Sequence, residues 1–598
     1  MIKQFIAAIK SSPGKWIFIL TAATGLLLRF EYLREYSNLV HFPFALGPDV
    51  MEYDERAKEL LNGIIFPDTP EIHAPLYSLF LAFWYKLFSC SIAAVRGIQL
   101  FLNWGAFVAT ALLVRKLSSS WKLATIFLAL ALFTPVLFFH QAELISESLL
   151  APLSAALLWL LCRADKRQRN YFGAGIIIGL MVLTHGLMNF ILLAEAGYFI
   201  IKKQWKNAIL IFSGAIIVTG SVIAVKSLHY RKFTPIQSNS MFNLWIGHNP
   251  DATGGCYLPP GKWAKEREKL ITAAAEHNTS FDKIILEDIL HFYKHSRQQL
   301  ALLPLKKLAL LLSPEEAISG ADSMYLILLT KVQRTGTGMM AAVILLALCG
   351  TYFLCKRKKS EYIHFYITGG ALCAGLLLTV VSGRYRQGLM PALLLLAAAG
   401  AFHLGKKAWF VIIPCVIGGA LLIPPLSGGI QRNGRAASIL GEAHFRLKEF
   451  RQAQELLQIA ERHDDHPERF DNMLGAIAEE RGNILIASVR YTQAIEKAPG
   501  HPDGYLNKGH LYFYNFPEER EIALQLIKAA LARKSDLPSA YDMLGQDMAQ
   551  KKDYSGALKM FEQASFYAPD NELYKKKIEL CRTLAKERGK NAPESGNR

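Results

Sequence analysis

Apolar runs of roughly 16 to 22 residues recur through the first 430 residues of this 598-residue chain, each near the length needed to cross about 30 Å of hydrocarbon as a helix. About eleven spans are expected, at 15–33, 92–114, 121–141, 144–162, 171–186, 187–202, 207–226, 337–355, 362–381, 387–404 and 408–426. The first is longer than a signal-peptide core and lacks a small-residue cleavage site, so it reads as retained. An apolar content of 52% with 19% charged residues is not that of a soluble domain. Residues 1–430 are therefore expected to form an all-α, polytopic domain integral to the lipid bilayer.

The net charge of +18 could suggest nucleic acid, but its distribution does not, and no nucleic-acid partner is expected. Basic clusters fall between spans: Arg115-Lys116, Arg163 with Lys166-Arg167-Arg169, Lys202-Lys203 with Lys206, Lys356 to Lys359, and Lys406-Lys407. All land on the side of Lys3, Lys10 and Lys15, which places the N-terminus in the cytoplasm. Loops 34–91, 227–336 and 382–386 then face outward, as does everything after residue 426. Segment 75–90 must be re-entrant or interfacial for this count to close. The eight cysteines show no close CxxC pair, no disulfide framework and no metal signature. The lack of processing signals and the modest loops point to a bacterial inner membrane.

Past Pro425 the chain changes character, with Ser427-Gly428-Gly429 as a linker. Gly441, Gly475, Gly509 and Gly545 then recur at spacings of 34, 34 and 36 residues. Ala453 and Ala460, Ala487 and Ala494, Ala523 and Ala530, and Ala557 and Ala564 follow in phase. This pattern resembles the tetratricopeptide repeat, whose small residues let two antiparallel helices pack closely. The third unit carries a two-residue insertion near Asn515-Phe516-Pro517, and 570–588 reads as a closing helix. Residues 431–590 are thus expected to form an α-solenoid outside the cytoplasm that presents a concave surface to a peptide or protein partner. A passive stabilising or dimerising appendage is the competing reading, and 591–598 reads as a disordered tail.

Chemistry is expected in the outward segments. Asp49, Glu52, Asp54 and Glu55 cluster just after the first span, with Asp49, Tyr53, Ala57 and Leu61 on one helical face. Carboxylates held this close to a bilayer are costly unless paired or used, although a solvated amphipathic helix would also account for them. His73-Ala74-Pro75-Leu76-Tyr77 follows, then His140-Gln141-Ala142-Glu143 and Glu147-Ser148-Leu149-Leu150. The long outer loop carries Asn243 to Gly254, read as tight turns, and Gly383-Arg384-Tyr385-Arg386 stands near the end.

Over residues 1–405 this succession resembles the C-type (GT-C) membrane glycosyltransferases, in the group containing protein O-mannosyltransferases and the lipid A aminoarabinose transferase. The resemblance implies transfer of a sugar from a polyprenyl-phosphate donor to an extracytoplasmic protein or glycolipid acceptor, with inversion at the anomeric carbon. It also implies Asp49 as general base, because an attacking hydroxyl must lose its proton. Val50 stands where the family often has a second acid, so Glu52 or Asp54 could share that role. Glu52, Tyr53, Asp54, Glu143, Glu147 and Asn249 are the expected sugar or acceptor contacts. Arg384, Arg386 and His73 are the expected contacts to the carrier phosphate. Helix termination and interface snorkelling compete for Glu143, Glu147 and the arginines.

No metal site is assigned and no cofactor is certain, with a divalent cation left as an option. His185 reads as a helix-hairpin residue, and Lys306-Lys307 as weaker phosphate candidates. A polysaccharide polymerase or O-antigen-type ligase would place arginines and a histidine together in one late outer loop, which 227–336 lacks. A non-enzymatic scaffold displaying the repeats needs only one or two spans. A transporter would carry more mid-span charge.

Overall fold

The computed structural model describes residues 12–67, 70–134, 136–163, 167–255, 262–313, 338–357, 360–426, 434–462, 467–569 and 571–590. Within these residues the chain is helical, with one isolated β-bridge between Gly255 and Val381. It divides into two compact units, Met1–Ala443 and His444–Arg598.

The first unit opens with α1 (Pro13–Ser37), α2 (Pro48–Leu61), α3 (Leu76–Leu87), α4 (Ile92–Ser118), α5 (Trp121–Leu132) and α6 (Val136–Ala142). A 3₁₀ turn at Ser146–Leu149 leads into α7 (Leu150–Leu161), α8 (Arg169–Val182), α9 (Asn189–Ile201) and α10 (Trp205–Tyr230). The outer segment holds α11 (Ser240–Ile246), α12 (Lys262–Glu276), α13 (Phe281–His295) and α14 (Arg297–Leu312). Helices α15 (Met339–Lys356), α16 (Ile363–Leu378), α17 (Met390–Leu404) and α18 (Trp409–Leu426) complete the bundle, with a 3₁₀ segment at Arg384–Leu389 before α17.

Every one of the eleven apolar runs is helical. Among the described residues six helical stretches are long and apolar enough to cross a membrane, and Leu76–Leu87 is one of several shorter apolar helices. Two runs depart from a single continuous helix. Run 121–141 is split into α5 and α6, with Phe133 and Thr134 outside either helix. Run 144–162 becomes regular only at Leu150, so 143–149 is a strap rather than the start of a span. The outer-loop expectation also shifts: Asn243 to Ile246 belong to α11, and turns begin at Gly247.

Backbones approach closely where side chains are smallest. A Cβ on Gly350 of α15 would stand 1.8 Å from the Leu396 carbonyl oxygen of α17, so only glycine permits this spacing. One apolar core joins α4, α5, α15 and α17 through Phe107, Phe127, Val343 and Leu395. A second joins α7 to α11, α13 and α16 through Leu157, Ile178, Ile191 and Trp245. A third, smaller core packs Val50, Tyr53 and Ala57 of α2 on Tyr77, Leu81 and Tyr85 of α3.

The repeat region contains α19 (Gly434–Arg446), α20 (Phe450–Glu461), α21 (Pro467–Glu480), α22 (Ile484–Lys497), α23 (Pro502–Asn515), α24 (Arg520–Leu531), α25 (Pro538–Gln550), α26 (Tyr554–Tyr567) and α27 (Glu572–Lys590). These are the four hairpins and closing helix of the 34-residue pattern. The phased alanines Ala453, Ala487, Ala523 and Ala557 are fully buried, and a Cβ on Gly545 would lie 2.7 Å from the Phe561 ring. A 3₁₀ turn at Pro517–Glu519 absorbs the insertion of the third unit. The division between units falls at Ala443, inside α19, rather than near residue 430, because Ile439 and Ala443 are buried with Leu46 and Phe139. The linker 427–433 and tail 591–598 lie outside the described residues.

Candidate functional site

Helix α2 starts where the sequence permits a sharp turn. Gly47 takes φ 95°, a left-handed conformation suited to glycine, and Pro48 fills the first helical position with its φ already set. Asp49 then sits in the first turn, where the helix dipole favours an acid. The buried Val50, Tyr53 and Ala57 anchor the helix and leave Asp49 at its rim, its side chain 31% exposed.

Four remote segments meet there. Arg384, from the 3₁₀ segment before α17, donates from Nη1 to Asp49 Oδ2 at 2.5 Å. Its Nε lies 3.3 Å from Glu147 Oε1 on the strap before α7. His73 Nε2 lies 3.0 Å from Glu52 Oε2 and 3.8 Å from Asp49 Oδ1. The His73 ring packs on Tyr53 with centroids 4.8 Å apart. Ser146 Oγ donates to Glu147 Oε2 at 3.2 Å, and Glu147 is 3% exposed. One guanidinium thus bridges two carboxylates, one at the rim and one buried.

Burial alone lowers the His73 pKa, but the Glu52 hydrogen bond and the Asp49 charge outweigh it and leave the value above 6.5. Burial, helped by the Glu147 charge, pushes the Tyr53 hydroxyl well above 10, so it stays protonated. The rim therefore offers carboxylate acceptors, an arginine fork and a histidine able to carry a proton near neutral pH.

Several expected residues are elsewhere. Arg386 is buried and its Nη1 donates to the Ser313 carbonyl at 2.7 Å, because residues two apart on a 3₁₀ turn point to different sides. Asp54 accepts from Tyr85 at 2.6 Å and from Lys58 at 2.7 Å, which ties α2 to α3 and turns it from Asp49. Glu143 is bonded to the Tyr36 hydroxyl and to Arg96. Asn249 Nδ2 donates to the Trp245 carbonyl at 2.9 Å while its Oδ1 accepts from Asp251 N, a turn-forming arrangement. The structure brings Asp49, Glu52, Tyr53, His73, Glu147 and Arg384 together. It does not bring Asp54, Glu143, Asn249 or Arg386 to them.

From sequence, His185 reads only as a hairpin residue and Lys307 as a weaker phosphate candidate, and nothing there singles out Glu71. His185 packs 4.4 Å from the Tyr385 ring, within range of the charges on Glu147, Arg384, His73 and Asp49. Glu71 holds both Arg56 (2.9 Å) and Lys226 (2.8 Å), fixing the segment that carries His73. Lys307 is buried with its Nζ 3.1 Å from His248 Nε2 and 2.5 Å from the Thr379 carbonyl. An apolar cavity of about 280 Å³ opens beside Arg386, lined by Leu311, Phe365, Tyr366, Leu393 and Leu396. Among the described residues no group of three or more His, Cys, Asp or Glu is placed to hold a metal ion.

Residues 72–227 match the sequence profile of the dolichyl-phosphate-mannose-protein mannosyltransferase family. The match covers about a quarter of the chain; it includes His73, Glu147 and His185 but neither Asp49 nor Arg384. It supports a membrane glycosyltransferase of the C type. No curated protein sequence matches the chain significantly. Among solved structures, the TPR2AB domain–pHSP90 complex of yeast Sti1 aligns at 14% identity over 41% of this chain and 98% of that one, with a TM-score of 0.17. The APC/C hetero-tetramer Cut9–Hcn1 aligns at 13% identity over 82% and 95% respectively, with a TM-score of 0.25. Scores this low do not carry a shared fold.

Proposed function

We propose that the first unit transfers a sugar from a polyprenyl-phosphate carrier to a hydroxyl on an extracytoplasmic protein or glycolipid, inverting the anomeric centre, with Asp49 as base. The observation that carries this is the meeting of Asp49, Glu147 and Arg384, from segments up to 335 positions apart. An acceptor oxygen attacks the anomeric carbon while its proton passes to Asp49. The bond from that carbon to the phosphate oxygen breaks, and its electron pair leaves with the carrier. Arg384 and protonated His73 supply positive charge where the departing phosphate gains negative charge. Glu52 at the rim, and Tyr53 and Glu147 buried behind it, are the sugar and acceptor contacts in this reading. The apolar cavity beside Arg386 fits the start of a prenyl chain.

The positive-inside pattern of basic clusters supports an N-terminus in the cytoplasm, with the catalytic rim and repeats outside a bacterial inner membrane. The repeats serve as a binding surface for a peptide or protein, such as the acceptor. The test is transfer from labelled polyprenyl-phosphate sugars, mannose first because of the family matched, in membranes carrying wild-type or Asp49→Asn protein at equal expression. Label appearing only with the wild type supports the proposal. Equal label with both removes Asp49 as the base.

A further inference from the structure

A membrane-embedded bundle must satisfy every backbone carbonyl that leaves a regular helix, since lipid offers no donor. The two loops that bring acids to Arg384 are irregular: 38–47 leads into Asp49, and 143–149 carries Glu147. Their carbonyls find donors on one helix. Arg96 of α4 donates to the carbonyls of Phe42 and Phe44. Gln99 Nε2 donates to the carbonyls of Gln141 (3.2 Å) and Glu143 (2.8 Å). Asn103 Nδ2 donates to the carbonyl of Ser148 at 2.8 Å, the residue after Glu147. Gln99 Oε1 in turn accepts from the Tyr77 hydroxyl of α3 at 2.7 Å. Arg96, Gln99 and Asn103 are at most 1% exposed.

These three residues stand at i, i+3 and i+7, so they form one stripe along a single face of α4. Burying an arginine and two amides in an otherwise apolar span is costly unless each is fully used. Here each is used on a carbonyl of a loop that ends at a site acid. We propose that this stripe is a positioning element: Gln99 and Asn103 set where Glu147 meets Arg384, and Arg96 sets the approach to Asp49. Contact with substrate is not part of this role. The inference rests on the catalytic reading of Glu147 and Asp49, which it deepens by naming what holds them.

The experiment uses the full chain in membranes with polyprenyl-phosphate mannose as probe, comparing Asn103→Leu, Gln99→Met, Glu147→Gln and Asn103→Leu/Glu147→Gln. Gln99→Met keeps the side-chain length and is the variant that best preserves folding. Both single stripe variants are expected to lose roughly tenfold to a hundredfold in kcat, as for a misplaced reacting group, with the donor KM unchanged. The double variant is expected to be no slower than Glu147→Gln, because both changes act through one carboxylate. Hydrogen exchange is expected to rise at 141–149 and not elsewhere, a readout that needs no substrate. Unchanged exchange at 141–149, or losses that multiply in the double variant, would overturn the stripe. Wild-type transfer by both Glu147→Gln and Asp49→Asn is a separate result: it removes the catalytic reading, and with it the role given to the stripe.

Discussion

Replacing Arg384 by methionine removes the one guanidinium placed between Asp49 and Glu147, and the two acids should respond unequally. Asp49 is at the rim and can recruit water. Glu147 is 3% exposed and still accepts a hydrogen bond from Ser146 Oγ at 3.2 Å. At 3.3 Å and an effective dielectric near 20, the Arg384–Glu147 attraction is about 5 kcal/mol before desolvation is subtracted. Breaking a buried pair by removing one partner costs about 3–5 kcal/mol, because the remaining charge is stranded. Arg384→Met should therefore lower the stability of the first unit by several kcal/mol. Adding Glu147→Gln, which removes the stranded charge, should recover most of that loss without restoring transfer. Thermal unfolding in detergent micelles, followed through half-buried thiols such as Cys373, would measure all three variants. A double variant no more stable than Arg384→Met would refute the placement of Glu147 against Arg384.

The His73 contacts with Glu52 and Asp49 raise its pKa; their stabilisation is fully present below about pH 6.5 and fades as pH rises through the folded value. His73→Gln should abolish that slope in a stability–pH series. Lys307 behaves oppositely, because burial lowers its pKa from 10.5 to about 8. The unfolded chain then binds the proton more tightly, so stability should rise between about pH 8 and 10.5, and Lys307→Met should flatten the rise. Gly545→Ala places a Cβ 2.7 Å from Phe561. Overpacking of roughly 1–3 kcal/mol should exceed the helix-propensity gain of about 1, so exchange over 538–567 should increase; unchanged protection would contradict the packing. Truncation after Arg446 should leave donor binding intact while lowering transfer to the native acceptor; full transfer would remove the coupling assigned to the repeats.

What the chain declares by itself is whatever depends on near neighbours. Apolar runs marked the long helices of the bundle, such as α1, α4, α10 and α15, because hydrocarbon leaves the backbone no alternative partner, but not the acidic α2 or the outer helices α11 to α14. The 34-residue rhythm of Gly441, Gly475, Gly509 and Gly545 marked the hairpins, since only small residues fit where Tyr491 or Phe561 packs across. The acidic turn at Asp49 was legible for the same local reason: Gly47 and Pro48 start a helix whose first turn favours an acid. Tertiary structure alone decided the division of labour among similar residues. Arg384 and Arg386 are two positions apart and chemically identical, yet one meets Asp49 and the other the Ser313 carbonyl. Glu147 reached the site and Glu143 did not, because Gln99 and Asn103 hold the strap between them. Pairings such as Arg384 with Asp49 span most of the bundle. They follow from which helices pack together, and no periodicity within either segment encodes that.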